Sequence, residues 1–171
     1  DKYHRVATKS IGFAKAVGNY AGTLLPYKEI VENGYDEIIF LNASNENIID
    51  EARSANIFVL KGNVLKTPVL QGSILPGITR DSVIKVASKI FNLDVREEDV
   101  SLDELMNADE VFFTGTAAVI APVGRIVYKN NENRLKIGFE ESITRKIRER
   151  LIDIQYENIE DPFGWVIPLG R

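Results

Sequence analysis

Cysteine is absent from the 171 residues, and histidine occurs once, at His4. Without cysteine there is no disulfide and no thiolate zinc site. One histidine leaves no His-rich metal cage, and no Ser-His-Asp arrangement except one built on His4. His4 itself, beside Arg5 and near the terminus, is assigned no role. A strong excess of one charge sign is missing too. The net charge is −4, with basic residues scattered between acidic ones, which argues against a grip on a phosphate backbone and makes nucleic acid an unexpected partner. No apolar run is long enough to span a bilayer, and Asp1-Lys2-Tyr3-His4-Arg5 does not read as a signal peptide. A soluble, cytoplasmic protein without a membrane partner is the expectation. Linkers, low-complexity tracts and internal repeats are lacking as well, so residues 1–171 are expected to form one domain. What is present is 44% hydrophobic residues, enough for a real core.

The patterning that fills this length is mixed. Leu24, Leu25, Tyr27, Ile30 and Val31 fall at helical spacing within residues 19–32, and Asn33-Gly34 supplies a stop where glycine accepts a left-handed cap. Pro26 sits near the start of that helix. Residues 37–41 and 48–52 read as two strands across a polar turn, and Asn56-Ile57-Phe58-Val59-Leu60, the bend Lys61-Gly62-Asn63 and Val64-Leu65-Lys66-Thr67 read as a second hairpin. After Pro76-Gly77, the spacing of Ile78, Val83, Val86, Ala87 and Ile90 predicts an amphipathic helix opened by Thr79 or a near neighbour. Ser101 and Glu104 form a capping-box signature for a short helix through Asn107. Residues 110–113 predict a strand ending in a tight polar turn at Thr114-Gly115-Thr116. Residues 125–128 and 135–137 predict a further hairpin, and Ile143, Ile147, Leu151 and Ile154 a final helix, with the charges of residues 140–150 on its solvated face. The fold class is α+β, rich in hairpins.

Four places could carry chemistry. Lys15, in Gly12-Phe13-Ala14-Lys15-Ala16-Val17-Gly18, has only small or apolar neighbours. Partial desolvation there would favour the neutral amine that condenses with a carbonyl, and a stem lying on apolar surface with its ammonium in water is the other reading. Leu75-Pro76-Gly77-Ile78-Thr79 opens a helix, so it is either an anion cup of free N–H groups or an ordinary cap. Thr114-Gly115-Thr116-Ala117-Ala118 is either a second anion-binding concavity or a plain turn. Glu51, at a strand end, needs a partner if buried. A protonated ring nitrogen of a ligand or a nearby arginine such as Arg53 would serve, and a surface position is the alternative.

Taken in order, Lys15-Ala16-Val17-Gly18-Asn19-Tyr20, Gly34-Tyr35-Asp36-Glu37, Asp50-Glu51 with Asn56-Ile57-Phe58, Leu75-Pro76-Gly77-Ile78-Thr79-Arg80, Ala108-Asp109-Glu110-Val111-Phe112 and Thr114-Gly115-Thr116-Ala117-Ala118 resemble the fold-type IV pyridoxal-phosphate aminotransferases. Among these, the branched-chain amino-acid aminotransferases are most similar. Asp153-Ile154-Gln155-Tyr156 is similar to the family's C-terminal end. The resemblance implies the family's large cofactor-binding domain, a hairpin-rich sheet or pseudo-barrel with flanking helices, without its smaller N-terminal domain. It implies pyridoxal 5′-phosphate as cofactor, amino acids and 2-oxo acids as small-molecule partners, and a homodimer. Lys15 would form the Schiff base and shuttle the proton at the substrate α-carbon, and Tyr20 would hydrogen-bond the cofactor's phenolate oxygen. Glu51 would keep the ring nitrogen protonated. Leu75 would pack on the ring, while Gly77, Ile78, Thr79 and Thr116 would hold the phosphate. Ala117 and Ala118 would receive the substrate carboxylate on their N–H groups.

One stretch departs from the family pattern of small residues, namely Ala52-Arg53-Ser54-Ala55-Asn56. Arg53 either pairs with an acidic substrate or points outward, and Ser54 is a candidate pocket residue. The resemblance implies transamination between leucine, isoleucine or valine and 2-oxoglutarate. A D-amino-acid transaminase, an aminodeoxychorismate lyase and an inert cofactor-binding fragment are the rival readings.

Overall fold

A computed structural model describes residues 2–7, 9–135 and 138–167. The chain begins with an irregular segment, a short helix α1 (Gly18–Ala21) and a longer one, α2 (Leu24–Glu32). Sequence spacing predicts one helix here, and two are found. The break falls at Gly22-Thr23, where the Thr23 hydroxyl donates to the Tyr20 carbonyl at 2.7 Å. Pro26, in the first turn of α2, has no N–H to lose and no helical carbonyl four residues back to meet. The predicted stop holds, with Gly34 at φ +80°. Leu24, Leu25 and Val31 keep helical spacing but are exposed.

The first hairpin pairs β1 (Ile39–Asn42) with β2 (Asn45–Ala52), and β6 (Val100–Ser101) adds to β2. The turn is shorter than the predicted one because the Asn42 side chain accepts the Ser44 and Asn45 N–H groups, closing an Asx turn. The second hairpin, β3 (Asn56–Lys61) with β4 (Val64–Thr67), is found as predicted. Its partners complete a five-stranded sheet ordered β5-β4-β3-β7-β8. In it β5 (Asp94–Glu97) runs parallel to β4, while β7 (Glu110–Gly115) and β8 (Val119–Pro122) are antiparallel. Strand β7 runs two residues beyond the predicted end, so the turn it feeds is Thr116-Ala117-Ala118. A further hairpin joins β9 (Arg125–Tyr128) to β10 (Asn131–Arg134). Its second arm precedes the predicted one, whose residues 136 and 137 lie outside the described residues. Among the described residues the strands form three sheets and do not close into a barrel.

Helix α3 (Ile78–Lys89) and helix α5 (Ile143–Gln155) lie on one face of the five-stranded sheet. Strand β3 is buried on both faces. Phe58 and Leu60 meet Val83, Val86 and Ile147 on the helical side, whereas Ile57 and Val59 meet Ile49, Val100 and Leu105 on the other. Phe58 stacks on Phe112 of β7 with centroids 5.0 Å apart, and burying each such ring contributes about 2 to 3 kcal/mol. The capping box is present, with Ser101 accepting from Glu104 N–H and Glu104 accepting from Ser101 N–H ahead of α4 (Leu102–Met106). Glu110, 7% exposed, accepts from the N–H groups of Ile143 and Thr144 and from the Thr144 hydroxyl. It thereby ties β7 to the start of α5, where the helix dipole favours an anion.

Candidate active site

The start of β3 is where the parts converge. Asn56 opens an apolar strand and is 5% exposed, so its amide must find partners. Its Nδ2 donates to Glu51 Oε2 at 3.0 Å and to the Leu75 carbonyl at 2.8 Å. Its Oδ1 lies so near Gly77 that a Cβ there would come within 2.2 Å. This glycine is needed for close approach, not for its dihedrals, since its φ of −69° suits any residue. Gly77, a near neighbour of Thr79 as expected, is the N-cap of α3, and among the described residues no side-chain cap hydrogen bond is made there. Half-buried Thr79 and exposed Ile78 follow it. The helix start therefore presents free N–H groups where an anion is favoured.

Glu51 is 3% exposed and ion-paired. Its partner is Arg5, not the neighbouring Arg53. Arg53 instead lies 4.0 Å over the Tyr27 ring, with Nε 3.9 Å from Glu37, so it packs half-buried against α2. Glu51 Oε1 accepts from Arg5 and from Leu75 N–H, at 3.1 Å in the latter case, and Oε2 accepts from Asn56. A carboxylate offers about four acceptor positions, and these donors leave one on Oε2. Burial pushes the Glu51 carboxyl up to about 7, against the opposing pull of Arg5 and the Leu75 N–H.

The other half of the site is a broad cleft of about 1360 Å³, lined by Lys15, Ser54, Ala55, Thr116, Ala117 and Ala118 among others. Apolar lining comes from Ile38, Ile39, Leu41 and Phe113. Lys15 is exposed, contrary to the desolvated setting that its sequence neighbours suggest. The reason is that Ile11, Phe13 and Val17 face outward themselves, at 56%, 55% and 87% exposure, and so do not cover the amine. The Lys15 loop is nevertheless fixed, because Asn19 donates to the Ile11 and Ala14 carbonyls and Phe13 N–H donates to Gly72. Tyr20 is half-buried on α1 and, like Glu51, Leu75, Gly77, Ile78 and Thr79, is not in the cleft lining. Strand register joins the two halves. Asn56 pairs with Thr114, and a Cβ on Gly115 would lie 3.8 Å from the Ser54 carbonyl. Thr114 shares the helical face with Asn56, and its hydroxyl is buried without a partner. Beyond Thr116, Ala117 and Ala118, all exposed, Val119 closes the turn at φ +56°, a strained conformation for a β-branched residue.

A family model described as Amino-transferase class IV matches residues 5–126. The chain belongs to that family. It is 42% identical over 170 residues to the chloroplastic branched-chain-amino-acid aminotransferase 2 of Arabidopsis thaliana, a match covering 99% of this chain and 43% of that protein. A probable branched-chain-amino-acid aminotransferase of Staphylococcus epidermidis is 40% identical over 177 residues, covering 100% and 49% respectively. The solved structure of the branched-chain amino acid aminotransferase from Thermobaculum terrenum in PLP-form superposes with a TM-score of 0.81 at 31% identity. That match covers 92% of this chain and 50% of the other. The chain thus spans about half the length of the relatives it matches, and its α+β fold is the fold-type IV aminotransferase fold. Among the described residues no helix is long and apolar enough to cross a membrane.

Arg5 and Asn56 are the site residues that sequence reasoning missed. Asn56 carried a signal, since a polar residue at the head of a buried strand must be satisfied. Arg5 carried none, being 46 positions from its partner Glu51.

Proposed function

We propose that this chain forms the cofactor-binding part of a pyridoxal 5′-phosphate-dependent transaminase that moves the amino group of leucine, isoleucine or valine to 2-oxoglutarate, within a homodimer. The observation that carries this reading is the arrangement around Asn56. A buried carboxylate with one free acceptor position, an unclaimed helix start and a cleft holding an exposed lysine are all tied to residues 51–56. The residues fit the cofactor. Gly77, Ile78 and Thr79 offer the N–H groups for its phosphate, Thr116 adds a hydroxyl, and Leu75 lies between them and Glu51.

When bound, pyridoxal phosphate supplies a carbonyl for the amino group and a ring that accepts electrons from the α-carbon. Lys15 would hold it through Nζ, and that amine would take and return the proton at the substrate α-carbon. Glu51 would accept the ring N–H on Oε2 and keep that nitrogen protonated, and Tyr20 would donate to the phenolate oxygen. The N–H groups of Ala117 and Ala118 bind the substrate carboxylate. Ser54 would face the substrate, and Ile38, Ile39, Leu41 and Phe113 offer an apolar stretch of the cleft to an aliphatic side chain.

The test is a substrate comparison with pyridoxal 5′-phosphate and 2-oxoglutarate present. Leucine, isoleucine and valine should each yield their 2-oxo acid and glutamate, with D-alanine and aminodeoxychorismate inert. Turnover of D-alanine in preference to leucine, or no oxo acid from any amino acid, would overturn the reading.

A further inference from the structure

Arg5 is a buried cation at the site, with a side chain 3% exposed. Burying a guanidinium costs several kcal/mol unless it is paired, and this one is paired through Nη2 across three segments, while its Nε is buried without a hydrogen-bond partner among the described residues. Its Nη2 contacts Glu51 Oε1 and donates to the Ser73 carbonyl at 2.6 Å and the Gly12 carbonyl at 3.4 Å. Gly12 sits three residues before Lys15 and is packed so closely on Ser73 that a Cβ would lie 2.2 Å from the Ser73 carbonyl oxygen. Ser73 sits two residues before Leu75, whose N–H donates to the same Glu51 oxygen. One side chain therefore meets the strand end that carries Glu51, the loop that carries Lys15 and the segment that leads to the start of α3. A lysine would restore the charge but end one bond short of Nη2, the one nitrogen that makes all three contacts.

We propose that Arg5 is a positioning residue that holds Glu51 Oε1, so that the free acceptor position of Oε2 is aimed at the ring nitrogen of the cofactor, and that sets the spacing between Glu51 and the Lys15 loop through Gly12 and Ser73. The proposal rests on the reading of the site given above. It agrees with the electrostatics, in which burial drives the Glu51 carboxyl upward and Arg5 is the largest influence drawing it back. Without that cation burial is less opposed, so the Glu51 carboxyl is driven further upward and is a poorer acceptor for a ring N–H.

The test uses the holoenzyme loaded with pyridoxal 5′-phosphate carrying nitrogen-15 in the ring, in wild type, R5M, R5K and E51Q. The wild-type resonance should be that of a protonated ring nitrogen. In R5M it should move toward the E51Q position while kcat falls about 10- to 100-fold, the loss expected for a charge-assisted contact, and KM for leucine changes little. R5K should keep the protonated resonance yet lose several-fold in kcat, because charge is restored and the reach to all three partners is not. A merely structural Arg5 would lower thermal stability and leave the resonance in place. A protonated wild-type nitrogen that stays protonated in R5M, with kcat within a factor of about two, overturns the proposal alone. Wild-type protein that binds no cofactor overturns the functional reading and the proposal with it. Should R5M fail to fold, R5K and the double variant R5M/E51Q decide: wild-type kcat in R5K, or a further loss in the double variant beyond that of E51Q, overturns the proposal.

Discussion

Gly77→Ala tests the packing on which the site depends. The backbone at residue 77 tolerates alanine, with φ −69° and ψ 137°, so strain in the dihedrals contributes nothing. The obstacle is Asn56 Oδ1, 2.2 Å from the added Cβ, with the next contact at 3.5 Å on the same side chain and Arg80 Cβ at an ordinary 3.6 Å. Asn56 can yield only by breaking its bonds to Glu51 and Leu75. A hydrogen bond to a charged group is worth about 1.5 to 3 kcal/mol and a neutral one about 0.5 to 1.5, so G77A should cost about 2 to 4 kcal/mol. Asn56→Ala removes the same two bonds and should cost a similar amount. With Asn56 shortened, the new Cβ meets no close neighbour, so G77A should add almost nothing in an N56A background. Urea unfolding of the four proteins at one pH, without cofactor, gives the coupling energy directly. Additive costs, or a G77A cost below about 0.5 kcal/mol, would refute the claim that Asn56 is pinned against Gly77.

Three further outcomes are expected. Borohydride reduction with pyridoxal 5′-phosphate should fix the cofactor on the peptide containing Lys15, and K15A should leave that label nowhere at comparable stoichiometry; equal labelling of another lysine would remove Lys15 from its role. The Glu51 carboxyl, pushed to about 7 from an ordinary 4.5, retains a proton in the folded state that the unfolded chain releases. Its stabilising contribution is therefore complete below about 4.5 and lost as pH rises to about 7. Over that window, cofactor-free wild type should lose up to about 3 kcal/mol relative to E51Q, and parallel stability–pH profiles would contradict the assignment. Glu110→Ala removes three hydrogen bonds at the start of α5 and should destabilise by about 3 kcal/mol in urea unfolding, whereas a change near zero would show that Ser142, the N-cap of α5, suffices alone.

Local chemistry decided what the sequence could reveal. The Ser101–Glu104 capping box, the Gly62 bend, the Asn33-Gly34 stop and the spacing of α3 and α5 each depend on residues a few positions apart, so propensity and periodicity expose them directly. The ordered run of motifs from Lys15 to Ala118 likewise identified the family. Tertiary structure decided whatever depends on distant pairing. Strand β5 has one inward residue and three exposed ones and became a strand only by pairing with β4; β6 is two residues long and exists only against β2. The exposure of Lys15 followed from where Ile11, Phe13 and Val17 face, which small and apolar neighbours in sequence do not determine. The partner of Glu51 was settled in the same way. Arg53 lies two residues away, but β2 ends at Ala52 and Arg53 falls in the bend that follows, where it meets Tyr27 and Glu37 and leaves the buried carboxylate to be ion-paired by Arg5.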